Sequence, residues 1–135
     1  MISLSDKENL QEQSIAIGKN FVELGFKLIG TKGTAAFFNN AGVPCEPIFK
    51  IAEGRPNVVD IIVNRKVQLV INTPWPLRDV IADEEVIRKA ALKYKIPYIT
   101  TLAAAWNAVQ GIKAARDCKT PVKSLQEYHQ SIAEL

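Results

Sequence analysis

Residues 26–36, "FKLIGTKGTAA", decide the fold class, because a short apolar run passes through a turn of glycine, threonine and lysine directly into a helix. The run "FKLI" has the length of a buried strand, and the residues from about 34 to 41 have helical character, with Gly42 as their stop. At such a junction, backbone N–H groups and a helix N-terminus point to one place, which suits a negatively charged oxygen. The stretch therefore predicts a βα unit and an anion site.

The same alternation of short apolar runs and longer helical patterns continues along the chain, which is typical of a parallel sheet flanked by helices. The predicted strands are residues 1–4, "FKLIG" (26–30), "PIFKI" (47–51), "VQLVIN" (67–72) and "IPYITT" (96–101). The helices between and after them are predicted to begin near Ser5, Thr34, Pro56, Asp83, Ala103 and Ser124. With no repeat and no internal boundary, we predict a single α/β domain over residues 1–135, in which a five-stranded parallel sheet lies between two helical layers.

Apolar residues at helical spacing predict the faces that these helices bury. They are Leu10, Ile17, Phe21 and Leu24 in the first helix, Val58, Ile61 and Ile62 in the third, and Val86, Ile87, Ala90, Ala91 and Tyr94 in the fourth. Gly25 is the expected stop of the first helix.

Composition and charge exclude several classes of function. The 135 residues are 47% hydrophobic, and 17 basic against 14 acidic side chains give a net charge of +3, which is too small and too scattered for a nucleic-acid surface. No apolar stretch approaches the roughly 20 residues that cross a bilayer, and the amino terminus lacks the sections of a signal peptide. We expect a cytoplasmic protein without nucleic-acid or membrane partners. An anionic small molecule remains compatible with this charge.

Metal and disulfide chemistry are not expected. Cys45 and Cys118 are far apart in the sequence, and His129 is the sole histidine. These residues do not have the spacing of a zinc site or of a disulfide framework, so we interpret them as structural or incidental. The sequence therefore predicts no metal and no cofactor.

Short polar residues follow every predicted strand. They are Ser5, Asp6 and Lys7, then residues 31–34, then Lys50, then Asn72 and Thr73, and finally Thr100 and Thr101. Singly, each is explained by helix capping or turn formation. Together they favour a ligand site, because the carboxyl ends of parallel strands meet at one edge, where Lys7 and Lys50 would repel each other until an anion neutralises them. Phosphate fits this description, although "GTKGT" is neither a Walker loop nor GxGxxG.

Two longer stretches resemble a known family. "KIAEGRPNVVDIIVNRKVQLVINTP" (50–74) and "DEEVIRKAALKYKIPYITTLAAAWNAV" (83–109) are similar to the carboxyl-terminal regulatory domain of the carbamoyl-phosphate synthetase large subunit. The similarity extends from "SLSDKENL" (3–10) to "VKSLQEYHQSI" (122–132). It implies the fold shared with methylglyoxal synthase, in which the parallel strands have the order 3-2-1-4-5. The ligand-binding switch point would then lie between strands one and four.

The resemblance also implies a function. Such domains are non-catalytic parts of a glutamine-hydrolysing ligase that serves pyrimidine and arginine synthesis. They bind an effector, commonly UMP or IMP, and transmit its presence to the catalytic domains of the large subunit, which are the expected partners; a homo-oligomer is also compatible with the sequence. Residues that match the family's motifs are Lys7, Thr31, Gly33, Thr34 and Lys50 for the phosphate, and Asn72 and Thr73 near the ribose. Pro74 stands where bacterial members often have threonine, which leaves the identity and sign of the effector open.

The first alternative is an enzyme, methylglyoxal synthase, which would act on dihydroxyacetone phosphate in the same pocket. It needs carboxylates as acid and base. Where that family has its catalytic aspartate, this sequence has Arg55, which cannot accept a proton from a substrate carbon. Asp6 and Asp60 are the carboxylates that remain; we expect Asp6 to support a helix start and Asp60 to be solvated or paired.

Two further alternatives come from shorter features. "SLSDKENL" also resembles the opening of the purine-pathway domain that closes the IMP ring, but the blocks around residues 53–60 and 70–74 do not fit that family. A stand-alone interaction module would use Trp75 and Trp106 as an aromatic patch. Local packing explains either tryptophan equally well.

Overall fold

The computed structural model describes residues 1–4, 11–73, 81–118 and 122–132. The strands are β1 (Ile2–Ser3), β2 (Leu28–Thr31), β3 (Cys45–Ile48), β4 (Val70–Asn72) and β5 (Tyr98–Ile99). The helices are α1 (Gln11–Glu23), α2 (Lys32–Asn40), α3 (Val58–Val63), α4 (Ile81–Lys93), α5 (Leu102–Asp117) and α6 (Leu125–Ile132), with a short 3₁₀ turn at Ile51–Glu53. The predicted opening of the first helix at Ser5 and Glu8 lies outside the described residues.

The strands form a five-stranded sheet in the order β3-β2-β1-β4-β5, and every neighbouring pair is parallel. This confirms the predicted fold class and strand order. Ile2 in β1 pairs with Gly30 on one side and with Ile71 on the other, so the order reverses between β1 and β4. The carboxyl ends of all strands consequently lie at one edge, which we call the carboxyl edge.

Helices pack on both faces of the sheet. One core cluster joins the sheet to α1, α2 and α5, and its innermost side chains include Ile17, Phe38 and Val109. The other joins the opposite face to α3 and α4 through residues such as Ile62 and Ile87. The helix faces predicted from spacing are largely confirmed, but Val86 is 45% exposed, because the buried stripe of α4 runs through Ile87 and Ala91 instead.

Two helix ends follow the sequence prediction closely. Gly25 and Gly42, with φ of 82° and 73°, adopt the left-handed conformation that glycine tolerates, and they follow α1 and α2. Beyond each glycine the chain bonds back to its helix, since Phe26 N donates to Phe21 O at 3.0 Å and Val43 N donates to Phe38 O at 2.9 Å.

Several element boundaries differ from the prediction for physical reasons. The third strand is Cys45–Ile48 rather than 47–51, because these are the residues that pair with Leu28–Thr31 of β2. The Asn39 side chain of α2 also bonds both backbone groups of Cys45, at 2.9 and 3.0 Å. Pro56 does not open the first turn of α3; Asn57 caps that helix, since its Oδ1 accepts from Val59 N and Asp60 N.

The later boundaries differ in the same way. Asp83 lies in the first turn of α4 rather than at its cap, and a carboxylate is favourable there because it faces the positive end of the helix dipole. β4 and β5 are shorter than the apolar runs that predicted them, and α5 begins at Leu102, with Thr101 as its cap.

The cysteines are free, with Cys45 buried and Cys118 exposed. Burial raises the pKa of the Cys45 thiol to about 11, so it stays protonated at neutral pH. Among the described residues there is no group of His, Cys, Asp and Glu side chains arranged to hold a metal ion. None of the helices in the described ranges is long and apolar enough to span a membrane.

Gly18 of α1 packs directly against the Phe38 ring of α2. A Cβ built there would lie 2.5 Å from Cε1 of the buried Phe38 ring. We predict that Gly18→Ala lowers the free energy of unfolding by roughly 1–3 kcal/mol, because overpacking outweighs alanine's helix propensity of about 1 kcal/mol over glycine. Urea denaturation measures this change.

Gly111→Ala in α5 is the matched control, since nothing lies within 4 Å of a Cβ at that position. This variant should gain up to about 1 kcal/mol. Equal effects of the two substitutions would contradict the proposed crowding at Gly18.

Candidate functional site

The junction of β2 and α2 is tied to the end of β1 by two threonine hydroxyls. Thr31 is the last residue of β2, and its Oγ1 donates to Thr34 Oγ1 at 3.2 Å. Thr34 is fully buried, and the same oxygen accepts a hydrogen bond from Leu4 N at 3.4 Å. The predicted phosphate residues Thr31 and Thr34 therefore lie together, beside the carboxyl end of β1.

The Thr31 hydroxyl does not cap α2, because it is directed at Thr34 and forms no capping bond to the first helical turn. The early N–H groups of a helix have no partner within the helix itself. Those of Lys32, Gly33 and Thr34 belong to this turn, which opens at the carboxyl edge. Gly33 is exposed there.

Gly30 allows this junction to form, because there is no room for a side chain at its position. A Cβ at Gly30 would lie 3.0 Å from Ile2 O, and 3.2 Å from both Cys45 Sγ and Thr34 Cγ2. The backbone of β2 can thus approach β1 and the first turn of α2 closely.

Lys50 lies at the carboxyl end of β3 and is exposed. Its backbone is held at the start of the 3₁₀ turn, since Lys50 N donates to Glu53 Oε2 at 3.0 Å and Glu53 N donates to Lys50 O at 3.1 Å. Within the described ranges, ion pairs join Arg55 to Asp60 and Lys89 to Glu85, so no described carboxylate pairs with the Lys50 ammonium.

Lys32 is a cation that the sequence analysis did not single out. It occupies the first position of α2, and its Nζ lies 4.8 Å from the centroid of the Phe49 ring. Because Phe49 directly precedes Lys50, this contact places a second ammonium group beside the end of β3. The sequence shows a lysine within "GTKGT", but the direction of its side chain depends on the contact with Phe49, which belongs to a separate βα unit.

Asn72 and Thr73 lie at the carboxyl end of β4, next to β1. Thr73 N donates to Ser3 O at 3.1 Å, which continues the pairing of the two strands. Asn72 is only 4% exposed, and its Nδ2 donates to the hydroxyl of Tyr98 at 2.8 Å. Tyr98 is a further polar neighbour that strand patterns alone did not identify.

The remaining predicted residues either lie outside the described part of the chain or are explained without a ligand. Lys7, Ser5, Asp6, Pro74 and Trp75 lie outside the described residues, so the proximity of Lys7 and Lys50 stays a prediction. Thr101 caps α5, since its Oγ1 accepts from Ala104 N at 3.2 Å. Helix capping therefore explains this residue without a ligand. Trp106 is 37% exposed on α5.

Asp60 is engaged in the structure of α3. Its Oδ2 accepts from Asn57 N at 2.9 Å and lies 3.9 Å from Arg55 Nε. The prediction that this carboxylate is paired is confirmed. A carboxylate used in this way is poorly suited to act as a general base.

A cavity of about 480 Å³ lies at the opposite end of the sheet. It is lined by residues at the amino ends of the strands, among them Met1, Leu28, Lys66 and Leu69. Its lining does not include Thr31, Thr34, Lys50 or Asn72. This cavity therefore does not coincide with the predicted site at the carboxyl edge.

Comparison with known proteins agrees with this architecture. Residues 13–100 match the family model of the MGS-like domain. The chain is 43% identical over 115 residues to the carbamoyl phosphate synthase large chain of Acidobacterium capsulatum, covering 85% of this chain and 10% of that protein. It is 42% identical over 124 residues to the large chain of Archaeoglobus fulgidus, with 92% and 11% covered.

A third relative is the carbamoyl phosphate synthase large chain, C-terminal section, of Methanopyrus kandleri, which is 39% identical over 129 residues, with 96% of this chain and 23% of that protein covered. The resemblance noted from sequence motifs is confirmed. The chain spans less than a quarter of the length of each of these relatives.

The bond between Thr34 and Leu4 yields a test of the junction. Thr34→Val keeps the shape of the side chain but removes the acceptor of the buried Leu4 N–H, which should lower the free energy of unfolding by about 1–3 kcal/mol. The amide of Leu4 should also exchange faster with solvent deuterium, as measured by NMR. Thr34→Ser retains the hydroxyl and should keep the protection of that amide. Unchanged exchange in Thr34→Val would show that this bond does not form.

Proposed function

The chain belongs to the MGS-like domain family, and from this premise we propose that it is the effector-binding domain of a carbamoyl phosphate synthase large chain. The effector is a nucleoside monophosphate such as UMP or IMP. Its phosphate binds at the carboxyl edge, between the β2–α2 junction and the end of β3. The ligand regulates synthesis of carbamoyl phosphate for the pyrimidine and arginine pathways.

The observation that carries this proposal is the cationic character of the carboxyl edge. Lys50 is exposed and has no described ion-pair partner, and Lys32 is directed toward the same strand end by Phe49. The first turn of α2 adds N–H groups that Thr31 does not cap. Charge-assisted hydrogen bonds contribute roughly 1.5–3 kcal/mol each, so three or four support micromolar binding after ordering costs.

The partners of this domain are the catalytic domains of the same large chain. The relatives named carbamoyl phosphate synthase are several times longer than the matched segment, and the segment is also found in proteins named as the C-terminal section. An effector that contacts the ends of β2, β3 and β4 together favours one arrangement of these segments. A preference of this kind couples binding to a neighbouring domain, typically by about 1–3 kcal/mol.

The alternative is the enzyme that shares this fold, methylglyoxal synthase, a lyase that acts on dihydroxyacetone phosphate. It is supported less well, because Arg55 stands at the position of the catalytic acid and the Asp60 carboxylate is engaged with the backbone N–H of Asn57. Calorimetric titration with UMP, IMP and dihydroxyacetone phosphate separates the two functions. Nucleotide binding without turnover is the expected result; methylglyoxal formation from the triose phosphate, with no nucleotide binding, would overturn the proposal.

Lys50 provides a direct test of the phosphate site. Lys50→Ala should weaken UMP or IMP binding by roughly ten- to a hundredfold, because a charge-assisted bond is lost. Thermal stability should hardly change, since the Lys50 side chain is exposed. Isothermal titration calorimetry and thermal unfolding measure the two quantities.

Lys66→Ala is the matched control, because Lys66 is equally an exposed lysine but lies at the amino ends of the strands. It removes the same charge without touching the carboxyl edge. Equal losses of affinity in both variants would show that net charge, rather than a site at Lys50, determines binding.

A further inference from the structure

The hydrogen bond between Asn72 and Tyr98 joins the carboxyl edge to the outer strand of the sheet. β4 and β5 are parallel neighbours in which Val70 pairs with Tyr98. Side chains alternate along a strand, so Val70 and Asn72 lie on one face. Tyr98 lies on that face too, as its ring packs against the core cluster that contains Val70, and its hydroxyl reaches Asn72 Nδ2 at 2.8 Å.

The Tyr98 ring is held from more than one direction. It packs against the cluster that α3 and α4 form with the sheet. The guanidinium carbon of Arg88, on α4, lies 5.6 Å from the ring centroid. These contacts limit the movement of the ring and of its hydroxyl, to which Asn72 is bonded.

This hydrogen bond orients the Asn72 amide and so determines whether its nitrogen or its oxygen remains for a ligand. The amide nitrogen, which is the donor end, is directed at Tyr98, so the acceptor end, Oδ1, points the other way. A carbonyl oxygen accepts from hydroxyl groups and repels phosphate oxygens. Asn72 in this orientation suits the hydroxyl-bearing part of a ligand and not its anion, while Lys50 and Lys32 suit the anion.

We propose that Tyr98 is a positioning residue that holds Asn72 with its carbonyl oxygen presented to a sugar hydroxyl of the effector. The inference rests on the proposed function and extends it, because it assigns selection of a hydroxylated ligand to a residue on the edge strand β5. The same ring contacts Arg88, which lies on α4.

The test uses all 135 residues of the sequence as one chain, with UMP and 2′,3′-dideoxy-UMP as probes in calorimetric titrations. The native chain should bind UMP more tightly. Tyr98→Phe should weaken UMP binding by roughly three- to tenfold and leave the dideoxy nucleotide almost unaffected, because only the contact to the hydroxyls loses its alignment. Equal weakening for both nucleotides would overturn the inference, since it would indicate general loosening of the site.

A double-mutant cycle separates positioning from packing. In the Asn72→Ala background, Tyr98→Phe should cause no further loss of UMP affinity, whereas additive losses would contradict a role exerted through Asn72. Tyr94→Phe is the control, because Tyr94 packs against the same core cluster but on α4. It should leave the affinity for both nucleotides unchanged.

A measurement without nucleotide distinguishes failure of this inference from failure of the proposed function. In ¹H–¹⁵N spectra of the free protein, Tyr98→Phe should shift the side-chain amide signals of Asn72, while those of Asn39, which bonds Cys45 O, stay in place. An unmoved Asn72 signal overturns the positioning role. If the native chain binds neither UMP nor IMP, the proposed function fails and the ligand half of the inference fails with it, whereas the Asn72 signal still decides the positioning half.

Discussion

The pairing of β1 with both of its neighbours is the constraint on which the rest of the structure depends. β1 is only two residues long, yet it joins the halves of the sheet, because Ile2 pairs with Gly30 in β2 and with Ile71 in β4. Since all pairs are parallel, this alignment brings the threonine junction and Asn72 to either side of one strand end. Polar groups from distant parts of the chain thereby meet at one end of the sheet.

Each half of the carboxyl edge contributes a different chemistry. The β2–β3 half carries the ammonium groups of Lys32 and Lys50, which attract an anion. The β4–β5 half carries the Asn72 amide and the Tyr98 hydroxyl, which are neutral and directional. A ligand with a charged end and a hydroxylated end, such as a nucleotide, can satisfy both halves. The described groups of this edge are suited to binding such a ligand, which is the basis of the proposed effector role.

Sequence patterns predicted the features that are encoded locally. The fold class follows from alternating apolar runs and helical segments, and Gly25 and Gly42 end helices because few other residues adopt a positive φ. The strand order came from the family resemblance. Features that depend on contacts between separate elements were missed: the Lys32 ammonium lies against Phe49, and the Tyr98 hydroxyl is bonded to Asn72. Those partners are distant in the chain, so local patterns cannot reveal them.

The crowding at Gly30 limits how this protein can diverge in evolution. A side chain at that position would press at once on the carbonyl of Ile2, the thiol of Cys45 and the methyl of Thr34. Accepting a side chain there would require shifts of a few tenths of an ångström in three separate segments at once. Position 30 thus couples the spacing of β1, β2, β3 and α2, so a substitution there acts on all four elements together.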